Sequence, residues 1–251
     1  MRNPKYLQKI NLEPFIAETC PLEDDDFANF LEKTFESDKE LSFLTNRALL
    51  GTIPEFTLDE LDQASGSLSN LRACDEEGCV AELFKYGSKL LRQELLVCFN
   101  HILQHGRIDE LWHQTLFQML PKDGNLSEAS NWRPIAIFPI LYKVFAKMLY
   151  HRLSPILFQR QSHDQHAFTP GVRIENALVS AEIVIEQSLE FYMPLWLFSM
   201  DLRKAFDRID HDTLLQALRD HRIDEAYLAF IDLLYSDQRG VVQESLSFHI
   251  Q

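Results

Sequence analysis

The stretch FSMDLRKAFDRIDHD, Phe198 to Asp212, decides how this chain is read. It closes an apolar run, Pro194-Leu195-Trp196-Leu197-Phe198-Ser199-Met200, whose aromatic-rich composition predicts a strand. That strand would deliver Asp201 from its end. An ionised carboxylate beside buried apolar residues is costly unless a cation or several donors meet it, so something positive is expected at Asp201. Taken alone, Asp201 also fits a helix N-cap partner or a member of an ion pair. With Arg203, Lys204 and the bulky Phe206 behind it, the aspartate suits metal-assisted phosphoryl transfer, in which a carboxylate holds a divalent ion that neutralises phosphate charge. Asp210 and Asp212 read as the start of the next helix.

Upstream, Trp112 to Leu120 is apolar and strand-capable and runs into Pro121-Lys122-Asp123-Gly124-Asn125, where Asp-Gly signals a turn. The chain returns through a second β-like run, Arg133 to Phe138. Lys122 and Arg133 therefore flank one connection and are expected to project toward the same space, as counter-charges for a triphosphate. Ile140 to Leu157 has helical periodicity, with Leu141, Val144, Phe145, Met148, Leu149 and Leu153 on one side and Lys143, Lys147 and His151 on another. That second face is either a solvated charged surface or a contact for a phosphate backbone.

The remaining periodicities predict helices through Phe27, Phe30, Leu31 and Phe35, after Thr57, from Val80 to Gln104 with a break at Gly87 and an end at Gly106, and at Ile174 to Leu189, Thr213 to Leu218 and Ala226 to Tyr235. The acidic run Glu23 to Asp26 reads as a solvated helix start. Thr57-Leu58-Asp59-Glu60 has the pattern of a capping box.

The chain has 251 residues, 46% of them hydrophobic, ample for a core. Its N-terminus lacks the apolar segment of a signal peptide, and the apolar run Ile135 to Tyr142 is far short of the roughly 18 residues of a membrane span. An intracellular protein, cytoplasmic or nuclear and not secreted, is expected, with no membrane partner. Cys20, Cys74, Cys79 and Cys98 are then expected as reduced thiols in ordinary packing, although Cys74, Cys79, Cys98 and His101 have the residue types of a zinc site. A net charge of -14 argues against a polyanionic partner, but its distribution does not. Residues 1 to 120 carry 11 Lys and Arg against 21 Asp and Glu, whereas 121 to 160 carry six against two.

Five blocks, in order, carry a resemblance. Leu120-Pro121-Lys122-Asp123-Gly124, Asn131-Trp132-Arg133-Pro134-Ile135, Leu141-Tyr142-Lys143-Val144-Phe145, Gln165-His166-Ala167-Phe168 with Pro170-Gly171, and Asp201 to Asp207 resemble the reverse transcriptase of non-LTR (LINE-type) retrotransposons. The resemblance runs from about Phe56 to Gln251. It implies an α+β fold: an acidic lead-in over 1–55, helix-rich fingers over 56–190, and the first part of a right-hand polymerase palm over 191–251. It further implies that Asp201 is a catalytic metal-binding aspartate with the Leu202 carbonyl beside it, the ion being Mg2+. Lys122 and Arg133 would grip the incoming deoxynucleoside triphosphate, and Phe206 would pack under the sugar and exclude a 2′-hydroxyl. RNA template and DNA primer are the implied partners, with Lys143 and Lys147 toward nucleic acid.

The family's later Tyr-x-Asp-Asp turn has no counterpart here, and its usual Gly-Pro-Asp-Gly loop stands as Cys74-Asp75-Glu76-Glu77-Gly78. The expectation is a fragment of an RNA-directed DNA polymerase, inactive alone, with an exposed edge and apolar surface where the palm is unfinished. A second reading is a non-catalytic remnant that binds nucleic acid or protein through the basic helix. A third is a metal phosphohydrolase using Asp201, Asp207, Asp210 and Asp212.

Overall fold

A computed structural model describes residues 21–36 and 52–242, apart from 73, 76, 123 and 203, together with the backbone of 246–249. Expectations for Cys20, Asp123, Arg203 and the rest of the lead-in lie outside the described residues. The fold is α+β, a set of helices beside one small sheet.

The Lys122–Arg133 connection forms as a hairpin. Strand β1 (Gln114–Pro121) pairs antiparallel with β2 (Trp132–Ile137), with Leu120 opposite Arg133 and Pro121 opposite Trp132. Gly124 turns the connection at φ +127, and a Cβ there would press on the Asn131 side chain at 3.3 Å. The Lys122 amide donates to the Asn131 carbonyl at 2.8 Å, and the Asn131 and Trp132 side chains donate to the carbonyls of Asn125 and Leu126. Strand β3 (Arg239–Val242) joins β1 in parallel and β4 (Leu246–His249) pairs antiparallel with β3, giving the order β2-β1-β3-β4.

Side chains alternate along a strand, so the hairpin has two faces. Thr115, Phe117 and Met119 are buried on one, with Trp132 and Val242 beside them. This face is covered by α1 (Asp24–Phe35), which inserts Phe27 edge-on against Trp132 at 5.2 Å, lays Phe35 against Phe117 at 5.6 Å and buries Leu31. Asp24, Asp25 and Asp26 occupy its first turn, where acid suits the helix dipole, and Asp26 closes a capping box with Glu23.

The larger core lies among helices. After the Thr57–Glu60 capping box comes α2 (Leu58–Gly66); α3 (Ala81–Lys85) and α4 (Lys89–His105) follow, interrupted at Gly87. A left-handed Gly106 ends α4. Helix α5 (Ile140–Phe158) runs through the centre, and Phe145, fully buried, meets the rings of Phe56, Phe99, Trp112 and Phe230 at centroid distances of 5.2 to 5.5 Å. Helices α7 (His211–Asp220) and α8 (Glu225–Tyr235) close a smaller cluster of Leu215, Ile223 and Leu228 under Leu153 of α5.

Three expectations need correction. Pro194 to Met200 is not a strand: it has no regular secondary structure, joins neither edge of the sheet, and exposes Trp196 at 93% and Phe198 at 86%. A strand needs a neighbouring ladder as well as an apolar composition, and none of the described strands lies beside this run. Helix α6 (Ile174–Glu190) forms where its periodicity predicts, yet buries no residue and leaves Ile174, Leu178 and Leu189 largely exposed. On α4, Phe99 and Leu103 are buried with Leu95, Leu96 and Ile102 packed beside them, whereas Leu90, Val97 and Cys98, apolar residues that its periodicity would place inward, are exposed.

Candidate functional site

Asp201 and Leu202 lie exposed at the head of the segment 201–209, in which residues 204–208 form a turn that leads into α7. The premise that burial demands a cation at Asp201 therefore fails, since Met200 and Leu202 beside it are 70% and 66% exposed. What the turn presents is an open carboxylate with a backbone carbonyl next to it, both hard oxygen donors of the kind a small divalent cation takes. Asp210 begins α7 and accepts from the Thr213 hydroxyl at 3.2 Å, in keeping with its reading as a helix start. Among the described residues no three His, Cys, Asp or Glu converge closely enough to hold a metal by themselves.

Phe206 is 74% exposed and meets Phe168 edge-on at 5.7 Å. Phe168 stands at the left-handed φ of +59 in the loop after α5. Two of the five sequence blocks thus touch through their aromatic rings.

Lys122 and Arg133 share the other, half-open face of the hairpin. Leu120 is opposite Arg133, and Lys122 follows Leu120 by two residues, so strand alternation puts the two cations on one side. Both are exposed; the Lys122 ammonium donates to the Ser130 carbonyl at 3.3 Å. Arg239 joins them. It pairs with Gln114 of β1, which has the parity of Leu120, so its exposed side chain belongs to the same face. Sequence reading missed Arg239 because that placement depends on a parallel register that no local pattern encodes.

Lys143 and Lys147 lie along α5, both half-buried. Burial pushes the Lys143 ammonium below the usual lysine range, opposed by the nearby Asp75 carboxylate. The Lys147 ammonium sits over the Tyr150 ring at 6.0 Å, and burial, with Lys147 adding to it, depresses His151. Asp75, itself buried, accepts from the Ile140 amide at 2.9 Å and so caps α5 from another part of the chain. No described contact joins the hairpin cations directly to the 201–209 turn.

A cationic hairpin, an open carboxylate turn and a basic helix are the equipment of a protein that handles phosphate. Residues 120–249, a little over half of the chain, match the family model described as reverse transcriptase (RNA-dependent DNA polymerase), and the chain belongs to that family. Reverse transcriptases of that family in general use a divalent metal ion, a nucleic-acid template with a primer, and deoxynucleoside triphosphates.

Among its relatives, the transposon TX1 uncharacterized 149 kDa protein of Xenopus laevis is 25% identical over 74% of this chain and 14% of its own length. The Pol polyprotein of the type-1 retrotransposable element R2 of Popillia japonica is 29% identical over 57% of this chain and 20% of its own length. The probable RNA-directed DNA polymerase from transposon X-element of Drosophila melanogaster is 30% identical over 49% of this chain and 14% of its own length. The resemblance to non-LTR retrotransposon reverse transcriptases drawn from the ordered blocks is borne out. The chain spans a fifth or less of each of these relatives.

Proposed function

We propose that this chain is the part of a retrotransposon RNA-directed DNA polymerase that grips the incoming deoxynucleoside triphosphate and supplies one metal-binding carboxylate for nucleotidyl transfer. The observation that carries this reading is the shared face of Lys122 and Arg133 on the β1–β2 hairpin. Two cations on a rigid strand pair meet a polyphosphate without reorganising, which is where most of the help for phosphoryl transfer comes from.

Asp201 and the Leu202 carbonyl would hold Mg2+, a choice that fits hard oxygen donors at an open turn. When bound, the ion would neutralise phosphate charge and activate the attacking hydroxyl. Phe206 excludes a 2′-hydroxyl by bulk, and Lys143 and Lys147 lend a secondary contact to the phosphates of template or primer. RNA template and DNA primer are the partners in the intact polymerase, within the cytoplasm or nucleus.

The test is equilibrium binding of dTTP to this chain with and without Mn2+. Arg133→Ala and Lys122→Ala should weaken binding in both conditions, and Asp201→Ala only the metal-dependent part. Unchanged affinity in all three variants would remove the site.

A further inference from the structure

Helix α1 joins two groups of site residues between which no direct contact occurs among the described residues. On one side it is seated on the hairpin through Phe27 against Trp132, the residue before Arg133, and through Phe35 against Phe117. On the other side it meets the 201–209 turn, although 170 residues separate the partners in sequence. The Lys204 ammonium donates to the Thr34 hydroxyl at 2.6 Å and lies 4.1 Å from the centroid of the Phe30 ring. Phe30 and Thr34 are one helical step of four apart, so they share a face of α1.

The proton count at this junction is consistent. The Thr34 hydroxyl donates to the Phe30 carbonyl at 2.7 Å, which leaves its lone pair for the ammonium. Lys204 itself has a φ of +54, a left-handed backbone that non-glycine residues adopt at a cost and keep only where their surroundings hold them. It is half-buried, whereas Asp201, Leu202 and Phe206 around it are exposed. Lys204 thus reaches back to α1 while Asp201, Leu202 and Phe206 stay exposed.

We infer that α1 is a spacer that fixes the distance between the phosphate-gripping hairpin and the carboxylate turn, and that Lys204 is the positioning residue that latches the turn to it. The route runs from Arg133 through Trp132 and Phe27 to α1, and from Phe30 and Thr34 through Lys204 to Asp201 and Phe206. An acidic helix that reads in sequence as a solvated lead-in thereby becomes part of the site. This rests on the reading of Asp201 and Arg133 given above.

The test uses the whole chain and two readouts. Amide hydrogen exchange at Leu202 and at 204–207 reports the latch without any ligand. Lys204→Met, Phe30→Leu and Thr34→Val should each speed that exchange, Lys204→Met combined with Phe30→Leu should add little further, and Lys204→Arg should restore protection. Affinity for dTTP, with and without Mn2+, then reports positioning: Lys204→Met should weaken the metal-dependent binding about tenfold and leave metal-free binding within about twofold. Exchange at Leu202 and at 204–207 unchanged in Lys204→Met and Phe30→Leu would overturn the latch. Faster exchange with undiminished metal-dependent binding would overturn the positioning role. If the unaltered chain shows no metal-dependent binding, the proposed function falls, while hydrogen exchange still decides whether α1 holds the turn.

Discussion

The Arg152 guanidinium holds both oxygens of Glu60, Nε at 2.6 Å from Oε1 and Nη2 at 2.9 Å from Oε2, across 92 residues of sequence. The same group donates to the carbonyls of Pro54 and Glu55 and stacks 4.3 Å from the Phe56 ring centroid. It therefore fastens the segment before α2 to the central helix α5. With both side chains mostly buried, Arg152→Ala should cost about 1.5–3 kcal/mol, the range for hydrogen bonds to charged groups. Arg152→Lys should recover less than half, because an ammonium lacks the planar fork. Urea unfolding of the three proteins checks this.

The same pair sets an acid dependence. Glu60 is held below its ordinary value of 4.5, chiefly by the Arg152 hydrogen bond, with partial burial working against it. A depressed folded-state pKa contributes stability that is present above the unfolded value and is lost as pH falls through the folded one. The unfolding midpoint should drop as pH falls below about 4.5, and Glu60→Gln should flatten that limb while lowering stability at pH 7. An unaltered acid limb in Glu60→Gln would assign the loss to other carboxylates.

Asp75 gives a second long-range test. Its carboxylate accepts from the Ile140 amide at 2.9 Å and from the Cys79 amide at 2.7 Å, capping a helix whose own N-cap residue, Pro139, makes no side-chain cap. Asp75→Ala should cost about 1–2 kcal/mol, as loss of an N-cap does, and Asp75→Asn less, since an amide oxygen still accepts. Amide exchange at 140–144 should rise more than in α8. Removing the carboxylate should also lower the Lys143 pKa further, because Asp75 opposes the effect of burial there.

What was legible in the sequence follows from what is local. The Gly124 turn, the break at Gly87, the Gly106 stop, the Thr57 capping box and the buried stripe of α5 each depend on residues within a few positions of one another, and the structure has them all. The strand expected at Pro194 to Met200 depended on a neighbour that composition does not report. Arg239, Asp75 and the grip of Lys204 on α1 depend on register or on contacts over 65 residues or more, beyond any periodicity. Lys122, Arg133, Asp201 and Phe206 could be picked out because motif order carries information that single residues lack.

Phe206 and Phe145 should behave oppositely. Phe145 is fully buried among four aromatic rings, so Phe145→Ala should cost about 3–5 kcal/mol or prevent folding. Phe206 is 74% exposed, so Phe206→Val should change stability by less than about 0.5 kcal/mol. A residue that stability does not require is free to serve selection. In a longer chain carrying the family's remaining palm motifs, Phe206→Val should keep deoxynucleotide incorporation within about tenfold, or 1.4 kcal/mol, and raise ribonucleotide incorporation by more than that. An unaltered ratio of the two removes Phe206 from the site.

The chain offers two cationic surfaces to single-stranded nucleic acid, one on α5 and one on the open face of the sheet. Lys143 and Lys147 are half-buried on α5; Lys143 lies beside Asp75 and the Lys147 ammonium sits over the Tyr150 ring at 6.0 Å. Lys122, Arg133 and Arg239 are exposed on the open face of the sheet, and no ion pair of theirs occurs among the described residues. Six residue steps along β1 separate the partners of Arg133 and Arg239, Leu120 and Gln114, a span of roughly 20 Å at about 3.3 Å per step. A stacked strand rises about 3.4 Å per phosphate, so a decanucleotide reaches both arginines and a dinucleotide cannot. Arg239→Gln should therefore weaken binding of oligo-dT and oligo-rU decamers and reduce the salt slope by about 0.7, the share of one phosphate contact on a single strand, while leaving dinucleotides unaffected. Arg133→Gln should weaken both lengths. Lys147→Glu should have a smaller effect than Arg239→Glu, and Arg219→Gln, whose guanidinium is already bound to Glu225 at 2.8 Å, should have none. Fluorescence anisotropy across a salt series measures all of these. No loss for either oligonucleotide length in Arg239→Gln, or a larger loss in Lys147→Glu, would place the strand on α5 and not on the sheet.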